Sequence, residues 1–451
     1  MEQEYQPSFF KRFRAVIIGK PRDPYESGVF HKLSLIAFFA WVGLGADGLS
    51  SSCYGPEEAF LALGRHTYLG LFVALATVIT IFVITRSYSQ IVELFPSGGG
   101  GYLVATKLLS PAIGMVSGCA LLIDYVLTIT ISIASGVDAV FSFLPPQWHW
   151  LKLHSAIFGV ILLIIMNMRG VKESVIPLVP IFLTFIVTHV VAIAYALLTH
   201  AGEYPAIIQG IQNDVGVLNA QIGTAGTIFL VLHAYSMGAG TFTGIEAVSN
   251  GLPILREPKI QTAKKTMNYM AASLSFMVLG LMISYLLYSV THESGKTLNA
   301  IVLGRITAGW GESGIYFVLV TLVSEAVLLF VAAQAGFLDG PRVLANMAID
   351  HWVPSRFAML SDRLVTQNGI LIMGGAALVM MILTGGSVRL LVVLYSINVF
   401  ITFSLSQLGM VRHWWKERTQ AAHWRRGLLI NGVGFAMTSF ILGTVTVLKF
   451  H

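Results

Sequence analysis

Charge is scarce in this chain. Asp, Glu, Lys and Arg make up 11% of its 451 residues, against about 25% in an ordinary soluble domain. Hydrophobic residues make up 55%, and the mean hydropathy is +0.75. That balance excludes a water-soluble globule and points to a polytopic membrane protein. Cysteine is nearly absent: Cys53 and Cys119 both fall in apolar runs, so no disulfide framework is implied. The lead before Leu33 is charged and contains proline, so no cleavable signal peptide is expected. Catalytic motifs are missing too. There is no metalloprotease motif, nucleophile elbow or Cys/His cluster, and the run Gly98–Gly101 lacks the following Gly-Lys-Ser/Thr of a phosphate cradle. Close helix packing is the better account of those glycines. The expectation is a protein that is not an enzyme and uses no cofactor. Without a Thr-Val-Gly-Tyr-Gly pore loop, a passive ion channel also fits poorly.

What the chain has in abundance is apolar runs of spanning length, roughly 20 residues each. They fall near 33–62, 67–95, 109–144, 154–170, 174–199, 225–254, 266–291, 313–341, 369–385, 389–412 and 427–449, eleven in all. Of the 28 Lys and Arg, 22 fall on the side of the N-terminus; Arg65, Lys152, Lys296, Arg305, Arg389 and Lys449 fall on the other. The positive-inside rule then places the N-terminus in the cytoplasm, and the pI near 9.2 reflects these loops rather than a nucleic-acid partner. Residues 200–224 carry no Lys or Arg and are expected to form an exterior loop.

Two of the spans are interrupted, and in corresponding places. The first break runs from Gly43 to Pro56 and contains Asp47, Ser50, Ser51, Ser52 and Tyr54; the second runs from Gly238 to Pro253 and contains Thr243 and Glu246. A bilayer tolerates unwound backbone only where protein or a water-filled cavity satisfies the freed N–H and C=O groups. A matched pair of such breaks in two halves of a chain points to the binding site of a secondary transporter. Five spans separate one break from the other, so the halves enter with opposite orientation. The expected fold is an all-α membrane protein with a 5+5 inverted repeat and discontinuous first and sixth helices. Its parts would be a cytoplasmic segment 1–32, a first repeat 33–199, the loop 200–224, a second repeat 225–412, and a loop with an appended helix over 413–451.

Nine acidic residues lie within or at the edge of apolar segments: Asp47, Glu57, Glu58, Glu93, Asp124, Asp138, Glu246, Glu325 and Asp339. A carboxylate at the bilayer centre costs about 2.5–3.5 kcal/mol on insertion scales, so the central ones need a cavity or a partner. No Lys or Arg lies near the middle of a span, and a cation from solution is the missing partner. Asp47 either caps the second half-helix or binds that cation. Tyr54 is two helical turns further on, on roughly the same face. In the third span Asp124, Thr128 and Ser132 recur at i, i+4 and i+8, an oxygen stripe on one helix face; small polar residues in helix–helix packing are the competing account for Thr128 and Ser132. Tyr125 is adjacent to the stripe. Glu246, three residues past Thr243, either exchanges a proton against the ion or is a neutral, silent glutamate. Glu325 is a further acid without an assigned role, and His189 and His233 read as satisfied core histidines. Carriers of amino acids with this plan aim a bare half-helix N-terminus at the substrate carboxylate. Asp47 would repel a carboxylate and, with Asp124 and Glu246, makes an all-oxygen site suited to a hard cation.

The stretches Asp47-Gly-Leu-Ser-Ser-Ser-Cys-Tyr-Gly, Phe95-Pro-Ser-Gly-Gly-Gly-Gly-Tyr, Asp124-Tyr-Val-Leu-Thr, Thr243-Gly-Ile-Glu-Ala-Val-Ser-Asn, and Leu394-Tyr395 through Ser404-Leu-Ser-Gln-Leu-Gly-Met resemble the KimA-type potassium transporters. These belong to the KUP family of the amino acid–polyamine–organocation superfamily. The resemblance runs from Ile18-Gly-Lys-Pro to Lys449-Phe. It implies a LeuT-like fold and proton-coupled potassium uptake across a bacterial inner membrane. Potassium would be held around Asp47, Tyr54, Asp124, Tyr125, Thr128, Thr243 and Tyr395, with Ser132 added from the stripe, and Glu246 matches the proton-coupling glutamate. The implied partners are the lipid bilayer, the transported potassium ion and proton, and a second copy of the chain, since the family pairs through a cytosolic domain after a twelfth helix. A proton-coupled amino-acid or amine permease on the same fold is the alternative, because a cationic amine satisfies the same carboxylates.

Overall fold

The computed structural model describes residues 35–169, 175–242, 244–362 and 365–450. Among the described residues the regular structure is helical, joined by turns and short irregular connections, apart from one isolated β-bridge between Leu35 and Leu255. In chain order the helices are α1 (Ala37–Gly43), α2 (Gly45–Ser50), α3 (Gly55–Ala62), α4 (Gly70–Leu94), α5 (Gly100–Val104), α6 (Pro111–Phe141), α7 (Lys152–Met168) and α8 (Val175–Thr199). They continue as α9 (Tyr204–Met237), α10 (Ala247–Asn250), α11 (Lys259–Leu287), α12 (Leu298–Ile306), α13 (Glu312–Ile349), α14 (Gln367–Leu383), α15 (Val388–Lys416) and α16 (Trp424–Phe450). Nine helical stretches among the described residues are long and apolar enough to cross a membrane; α14 is a shorter apolar helix, and α1–α3 share one interrupted segment. Together they account for the eleven expected spans. The chain is an all-α, multi-pass membrane protein.

The first interruption is tighter than the sequence suggests. Helical geometry runs on through Leu44 and α2, tightens into a 3₁₀ turn at Ser51–Cys53, and breaks at Tyr54, whose φ is −131° and ψ −31°. Pro56 then sits in the first turn of α3, where a missing N–H costs nothing. The serines explain the compactness. Ser50 and Ser52 donate their hydroxyls to the carbonyls of Asp47 and Leu49, each at 2.7 Å, so side chains take up carbonyls that a loosened helix would strand. In the second interruption α9 passes into a 3₁₀ turn at Gly238–Phe242. Gly244 then takes φ +76°, a conformation natural only to glycine, before α10 begins.

The segment 200–224, expected to be an exterior loop, is mostly helix: α9 begins at Tyr204 and kinks at Gly223 (φ 74°, ψ 169°). Ile207, Ile211, Val215 and Leu218 recur on one face at helical spacing and turn it inward, Ile207 and Leu218 fully buried. Gly210 lets this helix approach the Tyr68 ring, and the His66 Nδ1–Asp214 Oδ1 pair at 3.4 Å ties its middle to the turn after α3. Absence of Lys and Arg says nothing about whether a segment is helical.

Two helices set the frame for the site. α6 and α13 pack along each other, and a Cβ placed on Gly336 would lie 2.7 Å from Ile129 Cγ1 and 2.9 Å from the Tyr125 carbonyl. Asn167 on α7 and Gln334 on α13 exchange amide hydrogen bonds, both 2.9 Å, which fixes the rotation of α13. A large side chain at Gly336 must force α6 away from α13, and overpacking of this kind costs about 1–3 kcal/mol. Gly336→Leu should therefore lower the melting temperature of the purified protein in detergent. An unchanged midpoint would show that the two helices are not in this contact.

Candidate functional site

The two interruptions are packed against each other. A Cβ on Gly244 would lie 2.6 Å from the Gly48 nitrogen and 2.8 Å from Asp47 Cγ, and one on Gly55 would meet Thr241 Oγ1 at 2.1 Å. Ser51 donates to the Thr241 carbonyl at 2.9 Å, and the Tyr54 ring covers Gly240, its hydroxyl 3.5 Å from the Gly240 carbonyl. At one end the backbone completes the contact: Leu35 N–H donates to Ile254 O and Arg256 N–H to Leu35 O, each at 2.9 Å. The start of the first span thus lies beside the end of the sixth, as expected of segments that run in opposite directions.

Around this contact the structure collects carboxylates. Asp47, Asp124 and Glu246 lie within electrostatic reach of one another, and Asp339 lies within reach of Asp47 and Glu246. Asp47, Asp124 and Glu246 are each at most 4% exposed, which shuts them off from bulk water. Asp47 does not act as a cap. It lies in the first turn of α2, and α3 has no side-chain cap. Among the described residues its Oδ1 is buried without a hydrogen bond, as are Asp124 Oδ1, Glu246 Oε2, Thr128 Oγ1 and Ser132 Oγ. Helical hydroxyls normally satisfy themselves on the preceding turn, and Thr130 does so on the Val126 carbonyl at 2.7 Å. Thr128 and Ser132, on the stripe with Asp124, do not. An unpaired buried polar atom costs about 1–3 kcal/mol, so this oxygen set is one that a bound ligand would complete. The donors are carboxylate and hydroxyl oxygens. Among the described residues no group of three His, Cys, Asp or Glu is placed to hold a metal ion; carboxylate and hydroxyl oxygens are hard donors.

Tyr395 on α15 lies beside Asp124. Tyr125 accepts a hydrogen bond from Asn250 Nδ2 at 2.7 Å and faces Glu246. Of the predicted set, Asp47, Tyr54, Asp124, Tyr125, Thr128, Ser132, Glu246 and Tyr395 are all buried on the helices at or next to the interruptions; Thr243 lies outside the described residues. Three contributors were not assigned from the sequence. Asp339 joins the acids from α13, held by Arg342 Nη1 at 3.3 Å. Tyr88 on α4 lies beside Glu246. Asn250 orients Tyr125, and its side chain also fills the space over Gly100, whose φ is +46°. The glycine run therefore serves close packing, as expected. Asp339 was visible as an acid at a span edge; Tyr88 and Asn250 carry no sequence signal, because their partners are distant in the chain.

An amino acid permease family model matches residues 34–449. The chain belongs to the amino acid permease family. It is 32% identical over 449 residues to the potassium transporter KimA of Bacillus subtilis, an alignment that covers 98% of this chain and 70% of that protein. The KimA-type resemblance carried by the motifs therefore extends along the sequence as a whole. Among solved structures, a manganese transporter variant of Eremococcus coleocola aligns with a TM-score of 0.55 at 13% identity, covering 96% of this chain and 89% of that one. A Na⁺-coupled sialic acid symporter in a substrate-bound, outward-open state aligns with a TM-score of 0.53 at 12% identity, covering 97% and 95%. At such identities the likeness is one of fold, and the fold is the LeuT-like one. The family and these neighbours are transporters, and this chain is a permease-family membrane transporter.

Thr128→Val tests the unpaired hydroxyl directly. It keeps the shape of the side chain while removing a buried oxygen that has no partner. The variant should be as stable as the parent or more so, by up to about 1 kcal/mol, when purified without added ligand. A clear loss of melting temperature would mean that the hydroxyl has a structural partner.

Proposed function

We propose that the chain is a secondary active transporter that takes up potassium together with protons across a bacterial inner membrane, with its N-terminus in the cytoplasm. The observation that carries the reading is the buried Asp47 carboxylate, one oxygen of which has no hydrogen bond among the described residues, seated between the interruptions of a chain that aligns over 98% of its length with a potassium transporter. A carrier of zwitterionic amino acids needs a positive half-helix end facing the substrate carboxylate at this place; a negative side chain there selects for a cation. Potassium is the cargo, held chiefly by Asp47, Asp124, Thr128 and Thr243, with Tyr54, Tyr125, Ser132 and Tyr395 around it. All of these are oxygen donors, the kind that replaces the hydration shell of a hard cation. The ion needs no resident cofactor to be carried.

Glu246 carries the proton in this scheme. It lies within electrostatic reach of Asp47, Asp124 and Asp339, with the Tyr88 and Tyr125 hydroxyls beside it. Two unit charges 4 Å apart repel by about 4 kcal/mol at an effective dielectric of 20. A proton on Glu246 and a cation near Asp47 each relieve that repulsion, so each alters the other's affinity. Ligands that bias one conformational equilibrium are coupled in just this way, by their differential affinity for its states.

Uptake into proteoliposomes tests both halves. Asp47→Asn should lower potassium uptake by about tenfold or more, a change of about 1.4 kcal/mol or more, while the protein still inserts and purifies. Glu246→Gln imitates the protonated side chain and should abolish accumulation of potassium against its gradient under an imposed inward proton gradient. Normal affinity in the first variant would remove Asp47 from the ion's ligands, and undiminished accumulation in the second would move the coupling site elsewhere. The same vesicles, offered amino acids and amines, separate this reading from an amine or amino-acid permease.

A further inference from the structure

A second buried acid meets a histidine away from the interruptions' carboxylates. His189 on α8 and Glu325 on α13 are each 1% exposed. His189 Nδ1 lies 2.9 Å from the Phe185 carbonyl. A carbonyl only accepts, so that nitrogen must carry a hydrogen, and the tautomer follows from the geometry. The other ring nitrogen, Nε2, lies 3.6 Å from Glu325 Oε1. A neutral ring would then turn a lone pair toward the carboxyl group, and an ionised carboxylate would answer with another. Two facing acceptors in a low-dielectric interior repel, whereas one proton on either partner turns the contact into an attraction. One hydrogen bond holds the same carboxyl oxygen: Asn299 Nδ2 donates to Glu325 Oε1, while the Tyr285 hydroxyl donates to Asn299 Oδ1. With its carbonyl end occupied by Tyr285, Asn299 can offer Glu325 only its N–H₂.

Among the described residues no Lys or Arg forms an ion pair with Glu325, whose partner is His189. The 3₁₀ turn of the first interruption brings the Cys53 thiol onto Glu325, α3 brings Glu57, and α11 brings Tyr285. Asp47 on α2 lies within electrostatic reach of Asp339 instead. Asp138 on α6 is bonded to Lys152 at 2.8 Å and faces Glu57 and Glu58. A mobile proton is therefore the positive charge available to the pair.

We propose that His189 and Glu325 form a second proton-binding site of this transporter, holding one proton between them and separate from Glu246. Because Cys53 belongs to the same interrupted segment as Asp47, occupancy of this site bears on the helix that carries the central carboxylate. The site goes beyond the potassium reading and stands on its own geometry, whatever the cargo.

Infrared difference spectra of the purified full chain, recorded between acid and alkaline pH, test it. The parent should show a carboxyl change that Glu325→Gln removes. His189→Gln, which leaves the carboxyl in place but takes away its base, should move the pH at which that change occurs by about one unit or more, a tenfold change in proton affinity. If Glu325→Gln fails to fold, the histidine variant decides alone. Spectra of the variants that superimpose on the parent's would overturn the proposal. Since the spectra read the pair itself, a chain that moves no potassium would contradict the function proposed above and leave this result intact.

Discussion

Backbone that leaves its helix inside a membrane must find its hydrogen-bond partners within the protein, and that constraint organises this molecule. Two segments loosen, and each supplies what the other lacks. Ser51 reaches across to the Thr241 carbonyl, while Gly244 and Gly55 leave room for Asp47 and Thr241 to come within van der Waals reach of the facing backbone. Glycine at these places is a matter of space as much as of torsion. Once the segments touch, Asp47 and Glu246 are committed to one small volume, and α6 and α13 add Asp124 and Asp339 to it. Carboxyl groups are concentrated here because the packing of the interruptions brings the segments that carry them together.

The polar residues of the interior divide into two kinds. Thr77, Thr80, Thr130 and Ser284 return their hydroxyls to carbonyls of the preceding turn, and Asn167 and Gln334 satisfy each other. These are structural, and they make a polar group cheap to bury. Thr128, Ser132, Asp47 and Asp124 keep an oxygen without such a bond. The difference between Thr128 and Thr130, two positions apart on one helix, is not one of residue type or depth. It depends on which side of α6 faces the interruptions.

Much of this was legible in the sequence, for definable reasons. Spans announce themselves by length and hydropathy. The breaks show as glycines and serines inside apolar runs, and Asp124, Thr128 and Ser132 show their common face by spacing alone. Other features were hidden. The compactness of the first break depends on Ser50 and Ser52 bonding back to local carbonyls, which their residue types permit but do not require. The helix over residues 204–222 is hard to see in the sequence because its apolar positions are spaced three or four residues apart among polar ones, the pattern of a surface helix rather than a continuous apolar run. Tyr88, Asn250 and the meeting of His189 with Glu325 are encounters between distant parts of the chain, and no local pattern encodes them.

The bridge between Leu35 and Leu255 has a mechanical consequence. Two backbone hydrogen bonds rivet the entrance of one broken helix to the exit of the other, and each bond contributes about 1 kcal/mol net. Neither strand of the joint depends on a side chain, so the clasp tolerates substitution at both positions. The two inverted segments therefore behave at that end as a single yoke. Rocking of the surrounding bundle would turn them together about the clasp, and relative movement between them would be taken up away from it, at the contact of Tyr54 with Gly240 and at the bend of α9 at Gly223.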